Sequence, residues 1–227
     1  MTVAELAHRL HRTLPQAHLE VSVLPDCNRI RLALINHDFP LGPLEPEVMR
    51  SVIADPAYWA FCWGSGLALA RHLLMTPERV RNRTVLDLGA GSGIAGIAAA
   101  RAGAVHVVAC DIDPDARLAT QVNAELNNVR IDVVETLRPS EARFDLVLLA
   151  DVLYDKANFA LLDLAVRVAD KVIIADSRVR ELDRLGYRET GWQEALTVPN
   201  LGEFDEYRRV RFFERACCVT SRGGPLT

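Results

Sequence analysis

An apolar strand that runs through a carboxylate into a turn with glycine at every second position leaves few folds open to this chain. Residues 84–93 read Thr-Val-Leu-Asp-Leu-Gly-Ala-Gly-Ser-Gly, and the next eight are rich in small side chains, as a helix packed close to a sheet requires. The segment therefore reads strand, loop, helix. Gly89, Gly91 and Gly93 let a ligand approach the backbone where side chains would block it. Asp87 can accept a hydrogen bond from a cationic amine near the strand end. A second apolar strand over 105–110 leads into Asp111, twenty-four residues beyond Asp87. A carboxylate at that spacing suits the paired hydroxyls of a ribose.

Two kinds of nucleotide cofactor compete for this layout. Gly91-Ser-Gly-Ile-Ala-Gly96 satisfies the glycine pattern of dinucleotide sites. The carboxylate separates the candidates. A pyrophosphate is anionic and is repelled by Asp87 at the mouth of the turn, whereas S-adenosyl-L-methionine carries an ammonium and a sulfonium and no phosphate. The residues favour S-adenosyl-L-methionine, with S-adenosyl-L-homocysteine as product and no metal. A nicotinamide or flavin dinucleotide is the runner-up, and a turn kept only for tight helix packing is the third reading.

From residue 84 onward, strands and helices alternate: strand 84–88, helix 93–102, strand 105–110, helix 114–127, strand 131–135, strand 144–150, helix 157–168 and strand 171–176. Such alternation builds an α/β fold with a parallel sheet and helices on both faces. Residues 187–196 and 207–215 are close enough to pair as a hairpin, so the sheet is expected to end on an antiparallel edge. The pattern over 84–215 resembles the Rossmann-like, seven-strand S-adenosylmethionine-dependent methyltransferase fold. Ahead of it, residues 3–14 have helical spacing, and 18–24 and 30–35 flank turn chemistry at 25–28 and predict a β-hairpin. Residues 45–54 and 65–75 predict two further helices. We expect 1–80 to be an N-terminal extension packed on a core of 81–218, with 219–227 a disordered tail.

Composition bears on partners and compartment. A net charge of −4 and a pI near 5.9 provide no global field toward nucleic acid or an anionic membrane. The five cysteines include no C-x-x-C pair, and the six histidines show no metal-ligand spacing. No apolar run approaches membrane-spanning length and the first residues contain no long apolar segment, so a reducing cytoplasm is the expected compartment, without a membrane partner.

In an open α/β sheet the ligand lies beyond the carboxyl ends of the strands, where strand order reverses. That rule groups Asp87 and Gly89 with Asp111, and sets Ile112 beside the adenine. Asp113-Pro114 reads as a helix N-cap and first-turn proline. Glu135, leaving the third strand, either accepts from the adenine exocyclic amine or is an exposed loop carboxylate. The fourth strand delivers Asp151-Val-Leu-Tyr154 to the same rim, the expected acceptor site. Methyltransferases of nucleobases and glutamine often carry Asn/Asp-Pro-Pro-Tyr here; this chain lacks the prolines and keeps the carboxylate and the aromatic. A carboxylate suits an ammonium, and a tyrosine face can line an alkylammonium channel by cation–π contact. Lysine is the better expected acceptor. The bland alternatives are a helix cap for Asp151 and a core aromatic for Tyr154.

Four segments narrow the reading. With Asp-Pro-Ala-Tyr-Trp-Ala-Phe-Cys-Trp-Gly-Ser-Gly at 55–66, Val-Leu-Asp-Leu-Gly-Ala-Gly-Ser-Gly at 85–93, Cys-Asp-Ile-Asp-Pro at 110–114 and Ala-Asp-Val-Leu-Tyr-Asp at 150–155, the chain resembles the electron-transfer-flavoprotein β-subunit lysine methyltransferase family. The glycine motif is common to many methyltransferases; the Trp-rich segment combined with Asp-x-x-Tyr is narrower. Gly64-Ser65-Gly66 departs from the Pro-Gly-Gly form of animal members. The resemblance implies an S-adenosylmethionine-dependent protein-lysine N-methyltransferase acting on the electron transfer flavoprotein β subunit. Matched by position, Trp63 flanks the cofactor, Asp87 to Gly93 hold its methionine part, Asp111 holds its ribose and Ala150 borders the adenosine. Asp151 and Tyr154 face the substrate lysine. A small-molecule or nucleic-acid N-methyltransferase of the same fold is the alternative, since Arg178, Arg180, Arg184, Arg188, Arg208, Arg209 and Arg211 make the C-terminal third locally basic. Interleaved acidic residues favour a solvated face or an acidic partner protein over nucleic acid. A noncatalytic module retaining the fold is the third possibility.

Overall fold

The computed structural model describes residues 1–137 and 143–216; the expected 219–227 tail lies outside the described residues. Helix α1 (Val3–Leu10) opens on a capping box in which Thr2 Oγ1 accepts from Glu5 N and the Glu5 carboxylate accepts from Thr2 N. It stops four residues short of the predicted end, because Pro15 disfavours helical backbone at Leu14. Strands β1 (Leu19–Leu24) and β2 (Cys27–Ile35) form the expected antiparallel hairpin. Helices α2 (Pro46–Ala54) and α3 (Gly64–Met75) follow.

The predicted alternation then appears as β3 (Thr84–Leu88), α4 (Ile94–Arg101), β4 (His106–Cys110), α5 (Pro114–Leu126), β5 (Asp132–Val134), β6 (Leu146–Ala150), α6 (Ala160–Val168) and β7 (Lys171–Asp176). Strands β8 (Arg188–Glu194) and β9 (Arg209–Ala216) complete a seven-strand sheet of order β5-β4-β3-β6-β7-β9-β8. The first five of these are parallel neighbours, while β9 runs antiparallel to both β7 and β8. The last strand in sequence therefore enters between its hairpin partner and the parallel sheet. Strand order reverses between β3 and β6.

Alternation along the central strands sends side chains to opposite faces. Val85, Leu146, Leu148 and Ile173 meet α3 and α4 through Leu67, Leu69, Ile97 and Ala98. Leu86, Val147, Leu149 and Ile174 meet α6 through Leu162, Ala165 and Val168. A third apolar cluster joins α1 and the hairpin to α5, with Leu6, Leu10, Ala33, Ile35 and Trp59 against Ala116, Ala119 and Val122. Helix α3 thus covers the sheet itself, while α1 and the hairpin pack on α5. No helix among the described residues is long and apolar enough to cross a membrane.

Candidate active site

The turn after β3 holds three glycines at positive φ: Gly89 at 76°, Gly91 at 55° and Gly93 at 80°. Gly93 is the N-cap of α4, and a Cβ there would stand 2.9 Å from Thr120 Cγ2 and 3.1 Å from Thr120 Cα. Backbone conformation and close packing both exclude a side chain. Gly93→Ala is therefore expected to lower stability by about 1–3 kcal/mol, measured by urea unfolding. At Gly91 the same added atom would meet nothing within 4 Å, so this part of the turn faces open space.

Asp87 lies beneath that turn. Its side chain projects to the α4 face, is 2% exposed and accepts from Gly96 N at 2.7 Å. Burial pushes the carboxyl up to about 7, against the opposing pull of the Gly96 N–H. This differs from the open carboxylate expected at the turn's mouth: Asp87 sits below the glycines, within the first turn of α4.

Asp111 meets the turn from the end of β4. Its Oδ2 accepts from Gly91 N at 2.9 Å and its Oδ1 from Asp113 N at 3.0 Å, while burial raises its carboxyl above the ordinary value. Each oxygen keeps a lone pair. Asp113 caps α5 as expected, accepting from Asp115 N with Pro114 in the first turn. Ile112 is 81% exposed, an isolated apolar side chain on the rim. Arg117 braces the loop by donating Nη1 to the carbonyls of Asp111 and Ile112, both at 2.9 Å, and lies 3.7 Å from the exposed carboxylate of Glu135.

The loop after β6 carries the other half of the site. Ala150 is half-buried at the strand end, and Asp151 follows at φ 52°, a left-handed conformation that asparagine and aspartate tolerate better than most residues. The Asp151 side chain is 8% exposed; Oδ1 accepts from Ser65 Oγ at 2.6 Å and from Ser177 Oγ at 3.4 Å, and Oδ2 accepts from Ser65 N at 3.0 Å. The carboxylate therefore does cap a helix, though not its own. Trp63, the N-cap residue of α3, makes no side-chain cap bond, and Asp151 supplies one from the loop after β6. Burial raises the Asp151 carboxyl to about 6, with Ser65 pulling it down and buried Asp176 pushing it up. Arg178 Nη1 stands 3.8 Å away and its guanidinium lies over the Tyr207 ring.

Tyr154 is 54% exposed, which sets aside the core-aromatic reading. Its ring meets Tyr58 edge-on with centroids 5.6 Å apart; Tyr58 meets Trp63 at 5.8 Å, and Trp63 lies 5.5 Å from Phe61. Trp63 Nε1 donates to the Tyr58 carbonyl at 2.9 Å, which holds the group together. The fold thus brings the Trp-rich segment against the Asp151–Tyr154 loop. Sequence reasoning missed Tyr58, Ser65, Ser177 and Arg178. The last two follow β7 directly, so the rule that ligands gather at strand carboxyl ends pointed to them. Tyr58 and Ser65 lie in the 55–66 segment that carries the resemblance, but nothing local to them gave either a role.

The family model described as ribosomal protein L11 methyltransferase matches residues 71–174. The electron transfer flavoprotein beta subunit lysine methyltransferase of Danio rerio is 51% identical over 106 residues, covering 45% of this chain and 41% of that protein. The protein of the same name from Xenopus laevis is 39% identical over 141 residues, covering 61% and 56%. The ribosomal protein L11 methyltransferase of Geobacter sulfurreducens is 39% identical over 131 residues, covering 56% and 42%. The chain thus spans about half the length, or less, of these relatives. Among solved structures, a T. thermophilus 16S rRNA methyltransferase in complex with AdoMet and guanosine superposes with a TM-score of 0.55 at 19% identity, covering 89% of this chain and 50% of that one. Magnesium protoporphyrin IX methyltransferase from Synechocystis, with bound SAH, gives 0.51 at 14% identity, covering 78% and 89%. At those identities the likeness is one of fold. The chain has the seven-strand fold of S-adenosylmethionine-dependent methyltransferases, is similar over part of its length to electron transfer flavoprotein β-subunit lysine methyltransferases, and carries its glycine turn and the loop after β6 inside the segment that the L11 methyltransferase family model matches.

Proposed function

We propose that this chain is a cytoplasmic S-adenosyl-L-methionine-dependent protein-lysine N-methyltransferase whose substrate is the electron transfer flavoprotein β subunit. One observation carries the reading: the glycine turn and the acceptor loop touch, so that a Cβ at Gly89 would lie 2.6 Å from Val152 Cγ1. A cofactor-type turn and a carboxylate–tyrosine pair meet where strand order reverses, the place at which open α/β sheets bind ligands.

The residues fit the cofactor. Gly91 opens onto free space, Asp111 stands beside it with acceptor capacity left, and Ile112 presents an apolar face suited to an adenine ring. Asp87 to Gly93 would hold the methionine part, Asp111 the ribose, Ile112 and Ala150 the adenosine and Glu135 its exocyclic amine, with Trp63 flanking. When bound, S-adenosyl-L-methionine supplies an electrophilic methyl group for transfer to an amine, and no metal is required.

The chain's own groups prepare the acceptor. A lysine ammonium has a pKa of about 10.4 in water and must lose a proton before it can act as a nucleophile. Desolvation against the rings of Tyr58 and Tyr154 lowers that value. Asp151, held rigid by Ser65 and Ser177, orients the amine through the one lone pair left on Oδ2; a carboxyl at about 6 is too weak a base to drive the deprotonation. Alignment of the reacting groups is then the main source of rate.

The family-model match favours a second reading, methylation of a ribosomal protein. Incubation with methyl-labelled cofactor and, separately, purified electron transfer flavoprotein, ribosomal protein L11 and nuclease-treated extract separates the cases. Label on the flavoprotein β subunit, at lysine by mass spectrometry and insensitive to nuclease, is the expected result. Label on L11 alone supports the second reading. Absence of calorimetric cofactor binding together with absence of label overturns both.

A further inference from the structure

Helix α5 presents a polar stripe at Thr120, Asn123 and Asn127, and each side chain of the stripe grips backbone in another part of the chain. Asn123 is fully buried. Its Nδ2 donates to Ser92 O in the glycine turn at 2.9 Å, and its Oδ1 accepts from Ala33 N in β2 at 2.8 Å. One carboxamide thus joins the N-terminal hairpin to the turn. Thr120 Oγ1 donates to Gly91 O at 3.1 Å, one peptide earlier. Asn127 clasps Arg31 of β2 in both senses, Oδ1 accepting from its N–H at 3.0 Å and Nδ2 donating to its carbonyl at 2.6 Å. The match is geometric: four residues of helix rise about 6 Å, close to the roughly 6.6 Å between alternate residues of a strand.

The consequence for the turn follows from peptide planarity. With Gly91 O drawn to Thr120, the trans peptide turns the Ser92 N–H to the opposite side, away from α5. The next peptide is held at both ends, its carbonyl by Asn123 and its N–H, that of Gly93, by Ala90 O at 2.8 Å. Glycines at positive φ have wide conformational freedom, so these bonds decide which orientation the turn keeps. We propose that Asn123 is a positioning residue for the cofactor turn, its carboxamide oriented by the bond its oxygen accepts from Ala33 N in β2. The proposal rests on reading that turn as the S-adenosyl-L-methionine site, yet the mechanical coupling can be measured without any ligand.

Three variants of the whole chain test it. Asn123→Asp keeps the acceptor for Ala33 N–H and removes the donor to Ser92 O. It is expected to weaken S-adenosyl-L-methionine binding by about tenfold in calorimetry, and to speed exchange of the Ser92 and Gly93 amides by a similar factor in the ligand-free protein. Thr120→Val, a milder change, is expected to act in the same direction by about threefold. Asn127→Ala, which removes the neighbouring clasp on Arg31 and leaves the Ala33, Gly91 and Ser92 bonds in place, is expected to lower the melting temperature while leaving affinity within about twofold of wild type. Wild-type affinity and turn exchange in both Asn123→Asp and Thr120→Val would overturn the proposal. So would an affinity loss in Asn127→Ala equal to that in Asn123→Asp, which would mark general loosening. A wild-type protein that does not bind the cofactor defeats the methyltransferase reading alone, and amide exchange still decides the coupling.

Discussion

Asp87→Asn is expected to make the protein more stable at pH 8, by on the order of 1–2 kcal/mol, and to weaken S-adenosyl-L-methionine binding by about tenfold or more. The carboxyl sits at about 7 in the fold against 3.8 when unperturbed, so the folded state holds the extra proton between those values. Its contribution to stability accordingly declines as pH rises from 3.8 to about 7, the reverse of an acid stabilised by a salt bridge. Asparagine keeps an oxygen for Gly96 N and removes the charge from a buried site. The same change replaces an acceptor of an ammonium by an N–H donor. Urea unfolding at pH 5 and pH 8 reads the first effect, since the wild-type loss between the two should shrink in the variant. Calorimetry reads the second. A variant that binds the cofactor normally would remove Asp87 from the proposed site and leave it a buried partner of α4.

The loop after β6 is expected to behave in the opposite way, with chemistry and stability separable by the choice of substitution. Asp151→Asn retains a residue suited to the left-handed backbone and an oxygen for Ser65 N; it loses the charge and turns the other oxygen into an NH2, to which the Ser65 and Ser177 hydroxyls can turn as acceptors. Methyl transfer should fall by about 10²-fold with cofactor affinity and melting temperature little changed, because alignment of the amine is what is lost. Asp151→Ala also strips the cap from α3 and places alanine at positive φ, which should cost about 2 kcal/mol in addition. In the wild type the carboxylate protonates below about 6, so transfer should decline through that value as pH falls, and this limb should be missing in Asp151→Asn. Equal loss of cofactor binding in Asp151→Asn and Tyr154→Phe would move both residues into the cofactor pocket.

These two carboxylates show why parts of the site were readable in the sequence and parts were not. The strand, turn and helix over 84–101 follow from apolar runs and glycines, whose conformational preferences act within a few residues. The same holds for Asp113-Pro114 as the start of α5 and for the hairpin turn, although that turn is Pro25-Asp26 alone and Cys27 and Asn28 already belong to β2. The end of α1 went astray by four residues where a proline outweighed an apolar periodicity. The placement of β9 between β7 and β8 had no local signature, because antiparallel pairing is settled by partners distant in the chain.

Asp87 and Asp151 were both legible as carboxylates at strand ends. Their burial was not, because it depends on what covers them: Gly96 and the first turn of α4 in one case, the N-terminus of α3 in the other. Ser65 lies 86 residues from Asp151, and Asn123 lies 90 from Ala33. A serine or an asparagine carries the same donors and acceptors wherever it stands, and only the packed chain decides which of the available backbone groups it will hold. Local stiffness and apolar spacing were enough to read the order of the elements and the chemistry of the turn. The pairing of distant polar groups, and with it the electrostatic state of the two carboxylates, was settled by the folded chain, where desolvation makes each unpartnered group costly and so selects the partners that remain.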